Sequence, residues 1–255
     1  MRTDDEKRSQ EFCTDTGIKI PAVTAAQMRA IDRICLEETG PNLYQMMENA
    51  GRNLAQLALE KVGDSWRTAE FLVLAGAGGN GGGGICAARH LANRGAGVKL
   101  CLAAPDRLAE VPAFQRKVFA STPGEEITPD QLDSLRPTLI LDALLGYSLR
   151  GAPRDPHAAM IRWANQAGAP ILALDLPSGL DATTGETPGE FVRATCTLTL
   201  ALPKTGLTHP CTGQLILADI GIPPAVFARL GLSYTPPFGP RSRLLLPASG
   251  CCRAL

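Results

Sequence analysis

The 255-residue sequence has no surplus of charge of either sign, because 25 Lys and Arg offset 25 Asp and Glu. Nucleic-acid binders draw most of their affinity from neutralised phosphates, so this balance points away from nucleic acid as a partner. No run approaches the roughly 18 to 20 apolar residues that a membrane helix needs, and a membrane partner is not expected. The opening residues, MRTDDEKRSQEF, lack the apolar segment of a secretory signal and are too acidic for a transit peptide. Histidine is scarce: His90, His157 and His209 lie far apart, and the eight cysteines contain no CxxC pair, so a zinc site is not expected. The cysteines read instead as small buried thiols in a reducing compartment, which places the chain in the cytoplasm. What is present, 255 residues with 45% hydrophobic and 20% charged, suits one large domain or two small ones with a full core.

Residues 1–18 are polar, charged and aperiodic, and read as a disordered leader. Thr24 and Gln27 have capping-box spacing and open a helix with Met28, Ile31 and Cys35 on one face. A second helix is expected from Leu43 through Lys61. Short apolar runs then alternate with helical stretches: 71–75, a glycine loop with a helix over 85–93, 98–102, 139–143, a helix over 157–164, 171–174, 196–200 and 214–219. Such alternation predicts a mostly parallel sheet covered by helices on both faces, the doubly wound α/β class, over residues 19–235. Residues 236–255 show no readable structure.

Seven glycines fall within Gly76–Gly84, between a strand and a helix, and Gly76, Gly78 and Gly81 satisfy GxGxxG in the context that motif requires. Glycine permits positive φ and close backbone approach, and the helix N-terminus behind the loop attracts anions. The reading is a phosphate-binding loop. No GK[ST] follows, so it is not a P-loop, and no acidic residue ends the second strand as in ordinary dinucleotide folds. Asp142 and Asp175 each end a strand, where α/β sheets bind ligands, and such carboxylates can move protons or hold a cation. Asp181 reads as a turn former, His90 as a surface or satisfied core residue, and Lys204 as either a rim cation or a solvated lysine. Arg150 and Arg154 flank a flexible loop where they would meet anionic substrate or solvent.

These segments, in this order, resemble the YjeF N-terminal domain family, whose characterised activity is NAD(P)H-hydrate epimerase. The family's GxGNNGGDG is similar to Gly76-Ala-Gly-Gly-Asn-Gly-Gly-Gly-Gly84, its D-x-PSG-x-D to Asp175-Leu-Pro-Ser-Gly-Leu-Asp181, and its acidic DA segment to Asp142-Ala-Leu-Leu-Gly146. Met47-Glu-Asn-Ala-Gly51, Pro203-Lys-Thr-Gly206 and Asp219-Ile-Gly-Ile-Pro223 extend the likeness over about residues 20–225. The resemblance implies a Rossmann-like fold, often in a homodimer, that interconverts the R and S epimers of hydrated NADH and NADPH (NADHX and NADPHX) so that a dehydratase can restore them. It implies potassium held by Asn80, Asp142 and Ser178. Substrate contacts map to Gly79, Asn80, Gly81, Gly82 and Gly83, to Gly146, Tyr147, Ser148, Leu149, Arg150, Gly151 and Ala152, and to Asp175, the expected proton-transfer residue.

The chain departs from the family pattern at Gly79, where the family has asparagine, and at Gly83, where it has aspartate. Each change deletes a polar side chain where ligand contact is expected, and one lost charged hydrogen bond weakens binding by about 1.5 to 3 kcal/mol. The alternatives are a catalytically weakened nucleotide-binding or scaffold protein of the same fold, and the epimerase half of a truncated bifunctional epimerase–dehydratase.

Overall fold

The computed structural model describes residues 10–247. In chain order its strands and α-helices are β1 (Glu11–Cys13), β2 (Lys19–Pro21), α1 (Ala25–Ile34), α2 (Leu43–Val62), β3 (Glu70–Ala75), α3 (Gly79–Ala92), β4 (Gly97–Leu102), α4 (Glu110–Phe119), β5 (Glu125–Ile127), β6 (Leu139–Ala143), α5 (His157–Gln166), β7 (Ile171–Leu174), β8 (Cys196–Leu200), β9 (Gln214–Ala218), α6 (Pro224–Ala228) and β10 (Arg243–Leu246). Eight strands form one sheet in the order β10-β9-β8-β7-β6-β3-β4-β5. All pairs are parallel except β9 with β10. The chain runs outward from β3 to β5, then returns to lay β6 on the other side of β3. Ligands bind in doubly wound sheets at this reversal, outside the strand C-termini.

Both sheet faces are covered, as expected for a buried parallel sheet. On β3, Phe71, Val73 and Ala75 join a core with α1, α2 and α3, while Leu72 and Leu74 point to a second core with Met160, Ile161 and Ala164 of α5. The predicted capping box at Thr24 and Gln27 is formed, and Asn42 with Gln45 makes another at the start of α2.

Four expectations need correction. Residues 11–18 are not part of a disordered leader, since Glu11–Cys13 form β1. Thr14 Oγ1 accepts the Ile18 N–H and Gly17 takes φ +81°, closing a turn that lets β1 pair antiparallel with β2 while Phe12 packs on the core. The tail is ordered at Arg243–Leu246: β10 pairs with β9 and buries Leu244 and Leu246, leaving Arg243 to Glu60. Residues 1–9 and 248–255 lie outside the described residues. Cys35, Cys86, Cys101, Cys196 and Cys211 are free and buried as expected, but Cys13 is disulfide-bonded.

The fourth correction concerns the glycine loop, where the helix starts at Gly79 rather than at residue 85. None of its glycines has positive φ. Close approach explains them: a Cβ on Gly76 would lie 1.9 Å from the Leu144 carbonyl oxygen, and one on Gly81 would lie 1.8 Å from the Gly76 oxygen. Packing against the sheet thus overrides the poor helix propensity of glycine.

Candidate functional site

A cavity of about 330 Å³ opens at the point where strand order reverses. Its walls are the residues that follow β3 (Ala77, Gly78, Gly79, Asn80, Gly81), β6 (Leu144–Ser148) and β7 (Leu174, Asp175), together with Asp32 from α1, Met47 from α2 and His157 from α5. The glycine loop and Asp175 therefore meet on one rim, as the strand-end rule requires, and Asp142 lies buried beneath it. No side chain caps the N-terminus of α3, where Gly79, Asn80 and Gly81 face the cavity. That end favours an anion.

Asp175 is held in an uncommon conformation. Its φ is +69°, and only Ala201 among the other described non-glycine residues is positive. Strained backbone persists where surrounding bonds over-determine it. Here the Asp175 N–H donates to the Leu198 carbonyl at 2.8 Å, Leu200 N–H donates to Oδ1, and Lys204 Nζ donates to the same oxygen. Lys204 is 1% exposed and its ammonium also donates to the Leu200 carbonyl at 3.0 Å. It is neither a free rim cation nor a solvated lysine. Oδ2 of Asp175 has no hydrogen-bond partner among the described residues, and the residue lines the cavity.

Asp142 is fully buried, and no ion pair reaches it among the described residues. Oδ1 accepts from Ser178 Oγ at 2.6 Å and from Leu144 N–H, and Oδ2 accepts from Ser178 N–H at 2.8 Å. Burial pushes its carboxyl up to about 6 despite the opposing bonds from Ser178 and Leu144. The Leu145 carbonyl accepts from both Asn80 Nδ2 at 3.1 Å and Ser178 Oγ at 3.3 Å. Asn80, Asp142 and Ser178 are thus linked around one carbonyl. A buried carboxylate without countercharge, beside the Ser178 hydroxyl and near the Leu145 carbonyl, offers oxygens suited to a hard cation and not to a soft one.

The remaining residues singled out in the sequence divide into two groups. Gly146, Tyr147 and Ser148 line the cavity, whereas Leu149, Arg150 and Ala152 line a neighbouring one of about 670 Å³ with Arg154 and His157. Gly151, at φ +70°, lines neither. Gly82 and Gly83 are buried inside α3. A Cβ on Gly83 would stand 2.8 Å from Leu174 Cδ2, with Ala50 and Met47 next, whereas Gly79 faces open space. The two departures from the family pattern are therefore unequal. Gly79→Asn is expected to melt near the wild-type temperature. Gly83→Asp is expected to lower stability by about 2 kcal/mol or more, because it buries a carboxylate among apolar groups. Thermal melts of the two variants check this.

Asp32 and Tyr147 come together in this wall, 115 residues apart, with the tyrosine hydroxyl donating to Asp32 Oδ2. The sequence reading missed Asp32 because α1 was legible only by its apolar face.

Glu48, Cys86 and His90 bring three ligand-type atoms within 4.8 Å of one another, a possible metal-ligand group. A terminal nitrogen of Arg89 stands among them, 2.5 Å from Glu48 Oε2, 3.3 Å from Cys86 Sγ and 3.4 Å from His90 Nε2. His90 is thus a satisfied residue, as expected. Burial acts to raise Glu48, but hydrogen bonds from Arg89 and His90 outweigh it and hold the carboxyl at about 2. A carboxyl depressed from 4.5 to about 2 lends stability that is complete above pH 4.5 and disappears as pH falls toward 2. Glu48→Gln should therefore melt below wild type near neutral pH, with the gap closing across that window in a pH series of melts.

The fold and the rim site define a doubly wound α/β protein with a cavity at the strand reversal. Residues 43–206 match the family described as YjeF-related protein N-terminus, and the chain belongs to that family. It is 52% identical over 229 residues to the NAD(P)H-hydrate epimerase of Dehalogenimonas lykanthroporepellens, covering 89% of this chain and 94% of that one. It is 38% identical to the NAD(P)H-hydrate epimerase of Truepera radiovictrix, covering 82% and 94%. It is also 38% identical to the bifunctional NAD(P)H-hydrate repair enzyme Nnr of Salinibacter ruber, where it covers 82% of this chain but spans only 42% of the relative. The crystal structure of yeast ynu0 shares the fold with a TM-score of 0.79 at 21% identity, covering 89% of this chain and all of that one.

Proposed function

We propose that this chain is an isomerase that interconverts the R and S epimers of hydrated NADH or NADPH. The observation that carries the reading is the cavity at the strand reversal, where a partnerless oxygen of Asp175 faces the same space as the uncapped N-terminus of α3. The helix end suits the anionic part of a dinucleotide, and the carboxyl suits proton transfer at the hydrated ring. The substrate carbon bears a hydroxyl beside a ring nitrogen. Protonating that hydroxyl lets the nitrogen lone pair expel water, and water returning to the other face inverts the centre. Asp175 is the proton-transfer group. Gly79, Asn80, Gly81, Gly146, Tyr147 and Ser148 position the substrate, and Arg150 and Arg154 line the adjoining cavity, where they suit anionic groups of the substrate.

Potassium fits the oxygens of Asn80, Asp142 and Ser178. When bound it would neutralise the buried carboxylate and steady the segment after β6, with no redox role. Ligand bound only to the folded state adds about 2.7 kcal/mol at a hundredfold excess over Kd. Melts in potassium are therefore expected to exceed melts in a bulky organic cation at matched ionic strength. Equal melting temperatures, repeated with nucleotide, would exclude the site.

The relatives' names support hydrated NAD(P)H as the substrate, and the bifunctional relatives support functional pairing with a dehydratase. A homodimer in the cytoplasm completes the reading. No described helix is long and apolar enough to cross a membrane. The direct test is conversion of one purified epimer into the other by the purified chain.

A further inference from the structure

We propose that Asp32 is a second catalytic carboxylate of this site and serves the ring face opposite to Asp175. The inference rests on the epimerase reading. Inversion through a planar ring needs water to leave from one face and return to the other, so proton chemistry is required on both sides. Two carboxylates line the cavity, from different elements: Asp175 at the end of β7 and Asp32 on α1. Each is anchored through one oxygen only. Lys204 and the Leu200 N–H hold Oδ1 of Asp175, and Tyr147 holds Oδ2 of Asp32. Among the described residues the second oxygen of each accepts no hydrogen bond. Asp142 differs, since both of its oxygens are taken by Ser178 and Leu144.

The environments of the pair also differ. A buried cation sits on Asp175, whereas Asp32 has a neutral tyrosine. Burial raises the Asp32 carboxyl above the ordinary aspartate value, and the charge of Asp175 raises it further, against the Tyr147 bond and the more distant Lys204. A carboxyl that burial raises suits the part of the acid, beside a second carboxyl that receives the proton.

In one direction, protonated Asp32 gives its proton to the hydroxyl on its face. The C–O bond breaks, water leaves, and the ring-nitrogen lone pair forms a C=N bond. Water then adds to the opposite face, the π pair returns to nitrogen, and Asp175 takes the released proton. The substrate becomes its epimer, and one proton has moved from Asp32 to Asp175. The other epimer runs the sequence in reverse.

The test uses each purified epimer of hydrated NADH in water enriched in oxygen-18, following inversion by chromatography and label by mass spectrometry. Wild type should invert both epimers with uptake of label. Asp32→Asn, nearly isosteric and expected to melt near wild type, should lose inversion by about a hundredfold or more. It should still exchange the hydroxyl oxygen of one epimer with retention of configuration, because Asp175 can expel and return water on its own face. Asp175→Asn should exchange the other epimer only. Tyr147→Phe, which keeps the carboxyl but removes its anchor, should slow inversion by a smaller factor. Inversion by Asp32→Asn at the wild-type rate would overturn the proposal, as would equal loss of exchange from both epimers. Wild type that inverts neither epimer removes the epimerase reading, and the role of Asp32 with it.

Discussion

Asp175→Asn is expected to lower the epimerisation rate about a hundredfold to ten-thousandfold, the range in which positioned acid–base groups contribute. The amide keeps the size and the anchored oxygen but cannot accept the proton released by returning water. The substitution also acts on the fold, because it leaves the Lys204 ammonium, 1% exposed, with only neutral acceptors. A lower melting temperature should therefore accompany the lost turnover. Rate measurements belong below that temperature, with circular dichroism confirming the folded state. Wild-type turnover by folded Asp175→Asn would remove the residue from the mechanism.

Lys204→Met is the second large effect. Removing one partner of a buried ion pair strands the other charge, and such losses run to about 3 to 5 kcal/mol. The ammonium also donates to the Leu200 carbonyl at 3.0 Å, next to Ala201, whose φ is +60°. Losing both contacts loosens the turn that faces Asp175. The double variant Asp175→Asn with Lys204→Met strands no charge, so it should be more stable than the sum of the single losses predicts, with a coupling above about 1 kcal/mol. Its turnover should stay at the level of Asp175→Asn alone. Stability recovered without activity is the signature of a pair whose charge balance holds the fold and whose carboxyl does the chemistry. Additive losses of stability in a double-mutant cycle would show that the pair is not coupled.

The parts of this site that local patterns encode were legible in the sequence. Apolar runs gave β3, β4, β6, β7, β8 and β9, and the rule that ligands gather at strand C-termini brought the glycine loop and Asp175 to one rim, with Asp142 buried beneath it. Charge concealed β5, whose sequence is Glu125-Glu-Ile127, and Pro112 concealed α4, where it sits in the first turn that tolerates proline. Antiparallel β10 was hidden in a proline-rich stretch, and its leucine run Leu244-Leu-Leu246 shows no alternation although the sheet imposes one.

Asp32 and Lys204 mark the limit of such reading. The helix face of α1 identifies Met28 and Ile31 as core, but nothing local states that the carboxyl beside them meets Tyr147. Lys204 resembled any loop lysine until the chain's return past β8 enclosed it against Asp175. The glycines misled for the same reason. Their spacing announced a loop, while their function in packing depends on Ala143 at the end of β6 and on the Leu144 carbonyl just after it.

The most direct test of the account starts from one pure epimer of hydrated NADH, free of dehydratase, and follows the appearance of the other by chromatography with the purified, folded chain. The account predicts approach to the same equilibrium mixture as in buffer, but much faster, with that acceleration lost in Asp175→Asn. Folded wild-type protein that converts the epimer no faster than buffer would contradict it.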